Sequence, residues 1–98
     1  MNYEWDENKR QANIIKHGVD FSIAEDFEWE TAFETIDDRH DYSEVRWVAL
    51  GYIKNHLYDM IYTRRFDNIR IISLEYCDKH SLGIQDQTSW TDFEILHR

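Results

Sequence analysis

Scarcity sets the first bounds on this sequence. Its 98 residues hold one cysteine, three glycines and no proline, and 11 lysines and arginines stand against 20 acids. A lone Cys77 cannot close an intrachain disulfide, which excludes the usual staple of small secreted domains and points to a reducing, cytoplasmic address. No apolar run approaches the ~20 residues of a membrane span, and the opening Met1-Asn2-Tyr3-Glu4-Trp5-Asp6 lacks the basic and apolar regions of a secretory leader. No repeat, low-complexity tract or linker-like stretch interrupts residues 1–98, which read as a single domain. The shortage of base leaves a formal charge of −9. Such a field repels polyanions, so any nucleic-acid role requires a local basic patch. What the chain does hold is 42% apolar and 15% aromatic residues, four of them tryptophan. That supplies one core and argues against disorder.

The pattern along the chain changes period once. Asp6 followed by residues 7–17 and Gly18 reads as an N-cap, a helix with acid in its first turn and base in its last, and a C′ glycine. Asp20 caps a second short helix over 21–27, with Phe21, Ala24 and Phe27 on one stripe. Residues 28–36 mix acids with β-branched and aromatic side chains, as a first strand does. A polar loop follows over 37–44. Three apolar runs, 45–53, 56–65 and 69–76, are separated by Lys54-Asn55 and by Phe66-Asp67-Asn68, where Asn and Asp tolerate positive φ; they form an antiparallel meander. The pattern weakens after Cys77, with a closing helix starting at Ser89 or Thr91 and running through Leu96. The expected architecture is α+β: two N-terminal helices packed on an antiparallel sheet of about four strands, plus a short C-terminal helix.

Two-residue turns at Lys54-Asn55 and Asp67-Asn68 fix the pairing by counting. Ile53 then faces His56, Arg46 faces Thr63, and Arg65 faces Arg70. Side chains alternate, so Arg46, Arg65 and Arg70 share a face with Asp59, Ile61, Thr63, Ile72 and Leu74. Trp47, Tyr58 and Tyr62 fall on the other face, as core beneath the helices. Like charges opposed across strands are destabilising. Either acids from the helices and the 37–44 loop neutralise the three arginines as surface salt bridges, or the arginines hold an anion. A single bulge would reverse the face.

The chain resembles the BrnT family, small ribonuclease toxins of bacterial toxin–antitoxin pairs with a RelE-like fold. The resemblance rests on Glu4-Trp5-Asp6 with Lys9 soon after, Lys16-His17-Gly18-Val19-Asp20-Phe21, Glu44-Val45-Arg46 leading to Leu50-Gly51, Thr63-Arg64-Arg65, and Ile69-Arg70-Ile71-Ile72-Ser73. It spans about positions 3 to 73. The sequence departs from the family after Ser73, where Leu74-Glu75-Tyr76-Cys77 and an acidic tail replace Ala-Arg-Lys-Ala and a basic C-terminal helix. Glu75 thus puts an anion where the family carries a phosphate-binding arginine.

The resemblance implies metal-independent RNA cleavage, in which the ribose 2′-hydroxyl attacks the adjacent phosphate. It also implies a cognate BrnA-like DNA-binding antitoxin as partner, with growth inhibition when the toxin is unchecked. Such chemistry needs a proton acceptor, cations for the phosphorane and an acid for the leaving 5′-oxygen. Imidazole suits the proton transfers, and the planar fork of arginine suits phosphate oxygens. The candidate set is Lys16, His17, Arg46, Arg65 and Arg70, with Glu25 as a further base. His17 ends the first helix, where the dipole favours positive charge and so an acid role, although the same ring can instead cap the last carbonyls. No cofactor is expected. The acids of the 37–44 loop lack calcium-loop spacing, and His56, His80 and His97 with Cys77 match no zinc pattern. The alternative function is a catalytically degenerate, RNase-like module acting through protein–protein contact, which the acidic surface favours.

Overall fold

The computed structural model describes residues 1–39 and 43–77. The expected C-terminal helix lies outside these residues, as does the centre of the polar loop. Five strands form one mixed sheet in the order β1-β5-β4-β3-β2, where β1 is Asn2–Trp5, β2 Phe33–Asp37, β3 Arg46–Ile53, β4 His56–Arg65 and β5 Asn68–Tyr76. Among the described residues a single α-helix, α1, spans Glu7–His17, and two 3-10 segments follow at Phe21–Asp26 and Trp29–Thr31.

This overturns the arrangement of two helices on four antiparallel strands. The second helix is a 3-10 segment. Asp20 does cap it, accepting from the Ser22 amide at 3.0 Å. Six residues closed at Phe27 cannot present the stripe of a full α-helix, and a 3-10 run is the short form such a segment takes. Residues 29–31 coil although they are rich in strand formers: Glu28 donates to the Tyr52 carbonyl at 2.9 Å and Phe27 bridges Ile53, so the chain is pinned to β3 before β2 begins. The fifth strand, β1, runs parallel to β5, with Asn2 beside Asn68 and Trp5 beside Ile71.

The expected elements that hold do so for the reasons their residues supply. The Asp6 carboxylate accepts from the Asn8 amide at 2.7 Å, and Gly18 takes a left-handed φ of 72° while donating to the Ile14 carbonyl. Lys54 and Asn55 both have positive φ, which makes the tight turn that pairs Ile53 with His56. The next turn differs. Phe66, fully exposed with φ 55°, takes the corner with Asp67, and Asn68 is drawn into the sheet by its pairing with both β1 and Arg65.

The core lies on one face of the sheet. Val19, Phe21, Ala24 and Phe27 descend from the linking segment onto Ala49, Ile53, Met60, Tyr62, Ile69, Ile71 and Leu74. Trp47 and Tyr58 pack against this cluster, the side expected for them. Trp29 stands edge-on to both Phe27 and Tyr62, and its indole donates to the Tyr3 hydroxyl at 2.7 Å. Burial raises the Tyr3 phenol above its ordinary range, and the Trp29 hydrogen bond partly offsets this. A smaller cluster of Val48, Leu50 and Cys77 occupies the opposite face. Among the described residues no helix is long and apolar enough to cross a membrane.

Gly51 is where the 3-10 segment and the sheet come closest: an added Cβ would sit 2.6 Å from the tip of the Phe27 ring and 3.1 Å from the Ala32 Cβ. Phe27 is itself held against Trp29, so Gly51→Ala is expected to lower stability by about 1–3 kcal/mol, measured by chemical denaturation. A second expectation concerns acid. Hydrogen bonds from Arg10 and then Gln11 lower the exposed Glu7 carboxyl from 4.5 to about 2. A depressed carboxyl stabilises above its unfolded pKa and ceases to do so as pH falls through its folded value. The melting-temperature difference between the wild type and Glu7→Gln should therefore be full above pH 4.5 and vanish toward pH 2.

Candidate active site

The position of α1 is set by a polar residue. The helix leaves Ile14 and Ile15 exposed, Ile15 at 87%, and buries Asn13. β1 ends at Trp5 beside Ile71, so among the described residues the edge of β5 beyond that point has no strand partner on that side. The Asn13 amide takes the place of one: its Nδ2 donates to the Leu74 carbonyl at 2.7 Å and to the Val19 carbonyl at 2.9 Å, and its Oδ1 accepts from the Leu74 amide at 3.2 Å. One side chain thereby satisfies both backbone groups of a buried strand residue and fixes the helix against the sheet.

A shallow groove of about 190 Å³ opens beside this clasp, between α1 and the Ile72-Ser73 step of β5. Its helical wall is Lys9, Ala12, Asn13, Lys16 and His17, which are positions i, i+3, i+4, i+7 and i+8 of one helix face. At its end the His17 Nε2 lies 3.7 Å from the Glu75 Oε2. The residue that departs from the family pattern is therefore the carboxylate beside the candidate imidazole.

The floor of the groove is shaped by a bulge. Tyr62 pairs with Ile71 but Ile61 pairs with Ser73, so Ile72 is an extra residue in β5. Up to Ile71 the register places Thr63 opposite Arg70 and Arg65 opposite Asn68, two residues from the expected opposition of Arg65 and Arg70. An even shift leaves side chains on the same face. Arg46, Arg65 and Arg70 do share one, with Arg46 and Arg70 flanking the buried Thr63 from either side when the β3–β4 register is continued by one residue. Beyond the bulge the faces exchange. Leu74, expected on the arginine face, pairs with Met60 in the core, and Ser73 and Glu75 take its place. Bulges re-aim side chains in this way where strands border a site.

Acids and bases are sorted across the molecule. Arg10 holds Glu7 at 2.6 Å and Asp20 at 2.9 Å, Arg39 holds Asp37 at 2.8 Å, and Lys54 lies 3.7 Å from Asp26. Arg64, on the core side of the sheet, pairs with Glu34 and lies 5.0 Å from the centre of the Trp47 ring. Hydrogen bonding to the Ser22 amide, with Arg10 adding to it, depresses the Asp20 carboxyl. Lys9, Lys16, Arg65 and Arg70 have no ion pair among the described residues. Two arginines do have acidic strand neighbours, Glu4 beside Arg70 and Asp37 beside Arg46. Glu25 is exposed on the 3-10 segment and does not line the groove. Cys77 is buried with its Sγ 3.4 Å from the Asp59 Oδ2, and burial foremost, with that carboxylate, pushes the thiol far above its ordinary range, unsuited to nucleophilic use.

Lys16 and His17 are thus brought together in one groove, and the three arginines lie on the sheet face that Ser73 joins to it. The candidate set had omitted Lys9 and Ser73. Lys9 was legible from its spacing to Lys16, whereas Ser73 depends on a bulge that no local pattern announces.

A helix-bordered groove carrying two ammonium groups with no ion pair among the described residues, and an imidazole, on the edge of a small mixed sheet, suits a protein that handles phosphate-bearing chains. Over residues 5–91 the sequence matches the model of the ribonuclease toxin, BrnT, of type II toxin–antitoxin systems, and the chain belongs to that family. Membership implies an RNA target and an antitoxin partner. No curated protein matches the chain.

The Asn13 clasp is open to direct test. Asn13→Ala leaves the Leu74 amide and carbonyl buried without partners, each costing about 1–3 kcal/mol. The expected loss is about 2–4 kcal/mol by denaturant titration, with the Leu74 amide becoming fast in hydrogen exchange.

Proposed function

We propose that this chain is a metal-independent endoribonuclease that cleaves RNA by attack of a ribose 2′-hydroxyl on the adjacent phosphate. The 2′-hydroxyl gives its proton to solvent water as its oxygen bonds to phosphorus, the bond to the 5′-oxygen of the next nucleotide breaks, and a cyclic phosphate and a free 5′-hydroxyl result. The observation that carries this reading is the sorting of charge: Glu7 and Asp20 are engaged by Arg10, while Lys16 faces the groove beside His17 with no ion pair among the described residues. In this reading His17 donates the proton to the leaving 5′-oxygen, and Glu75 provides the counter-charge beside the ring. Lys16, Arg65 and Arg70, with Arg46 across Thr63, neutralise the phosphorane, whose charge exceeds that of the ground state; stabilisation specific to that state raises the rate. The antitoxin is of BrnA-like, DNA-binding type and holds the activity in check.

The second reading, a degenerate module that works through protein contact, is favoured by the carboxylates beside the candidate cations: Glu75 by His17, Glu4 by Arg70 and Asp37 by Arg46. The two separate cleanly. Purified protein in EDTA should cut single-stranded RNA to cyclic-phosphate ends and leave 2′-deoxy strands intact. His17→Gln should lower kcat by about 10²–10⁴-fold, the ordinary contribution of a general acid, and Arg70→Ala should abolish growth arrest on expression. Absence of both cleavage and arrest in the wild type would select the binding module.

A further inference from the structure

We propose that Lys9 is a phosphate-binding residue, and that Lys9 and Lys16 together form a two-phosphate track that holds single-stranded RNA along α1. This rests on the cleavage reading above and extends it to how the substrate is gripped. Three observations support it. Lys9 and Lys16 line the same groove, one full heptad apart, so their stems leave the helix on one side. Seven residues at 1.5 Å rise separate their Cα atoms by about 10 Å along the axis. That is about three steps at the ~3.4 Å rise of a stacked strand, so the two ammonium groups meet different phosphates.

The second observation is the local charge. Asp6, three residues before Lys9, is the acid on its side of the helix, and its carboxylate accepts from the Asn8 amide as N-cap, while Glu7, on another face, is bound by Nε and Nη2 of Arg10 and by the Gln11 amide. Asp20, the acid beyond Gly18, is bound by Arg10 and the Ser22 amide. Lys9 and Lys16 are both exposed and have no ion pair among the described residues. An anionic chain thus has a local reason to retain two free ammonium groups on one helix face.

The third is the groove wall between them. Ala12 keeps it low, Asn13 is turned inward to Leu74, and Ser73 offers a hydroxyl from the floor. Among the described residues, the helical wall between the two lysines is Ala12 and Asn13. Lys16 adjoins His17 at the reacting end, so Lys9 lies on the side remote from the imidazole and takes a phosphate that is not cleaved. Contacts to such remote groups secure the substrate without touching the bond that breaks.

The test is the length dependence of binding, with Lys9→Gln, Lys9→Arg and, as a charge-matched control at the β3–β4 turn, Lys54→Gln. The probes are a 2′-methoxy RNA hexanucleotide and dinucleotide, which cannot be cut by 2′-hydroxyl attack, followed by fluorescence anisotropy. Wild type and Lys54→Gln should bind the hexamer more tightly than the dimer, and Lys9→Gln should lose about fivefold or more of that advantage. Its salt dependence for the hexamer should be shallower by about 0.7 in log–log slope, one phosphate contact fewer on a single strand. Lys9→Arg should restore both, and on cleavable RNA the Lys9→Gln defect should fall on KM. A Lys9→Gln hexamer affinity and salt slope equal to those of the wild type would overturn the track and leave the cleavage reading standing. Failure of the wild type to bind the hexamer would overturn it too, whereas normal binding without cleavage of natural RNA would remove the nuclease reading alone.

Discussion

One amide ties the helix to the sheet. The sheet loses its β1 partner after Ile71, and among the described residues no strand pairs with Leu74 on that edge. Unpaired strand edges are costly when buried and hazardous when exposed. Asn13 resolves both by acting as a one-residue strand, and in doing so it sets the distance between the helix and β5. The groove exists because that distance is fixed by hydrogen bonds and not by interdigitated apolar side chains, which would have filled it. A helix that buried Ile14 and Ile15 in the ordinary way would have closed the space its lysines now border.

The same economy governs charge. A surplus of acid would ordinarily quench any cation nearby, and the molecule avoids this by giving its acids dedicated partners. Arg10 serves two carboxylates, Arg39 closes on Asp37 within the β2–β3 connection, and Arg64 turns to the core side to meet Glu34. Local potential at the groove is therefore decoupled from net charge, because contact pairs cancel at short range while isolated ammonium groups act within about 10 Å at ordinary ionic strength. Glu75, by contrast, reaches the groove end, where its carboxylate lies 3.7 Å from the His17 imidazole.

Much of this was legible in the sequence, and the failures have physical causes. Asp6, Gly18 and Lys54-Asn55 act through their own backbones, so their helix ends and turn could be read locally. The shared face of Arg46, Arg65 and Arg70 survived an incorrect turn because the slip was of two residues, which conserves parity. The bulge at Ile72 could not be read, since it answers to the demands of both neighbours of β5, and it moved Leu74 and Glu75 to opposite faces. β1 escaped notice because four residues carry little periodicity and their partner lies at the far end of the described chain. Trp29-Glu30-Thr31 misled because strand propensity there was outweighed by the anchoring of Phe27 and Glu28 to β3. Lys16 and His17 were named as candidates from their residue types and their helix end, and they line one groove. Lys9 required reading the helix as a face.

β5 is the hub of this topology: β1 pairs to one side of it, β4 to the other, and α1 is tied to Leu74. It is also the last strand of the described chain. As the polypeptide leaves the ribosome, β1 lacks its strand partner and Asn13 its backbone partner until β5 emerges, with Leu74 lying 61 positions beyond Asn13. Contacts of such long sequence separation form late. A nascent or truncated chain ending before Ile72 carries every residue of the helical wall and none of the floor. The order of synthesis itself thus keeps the groove unassembled until β5 is made.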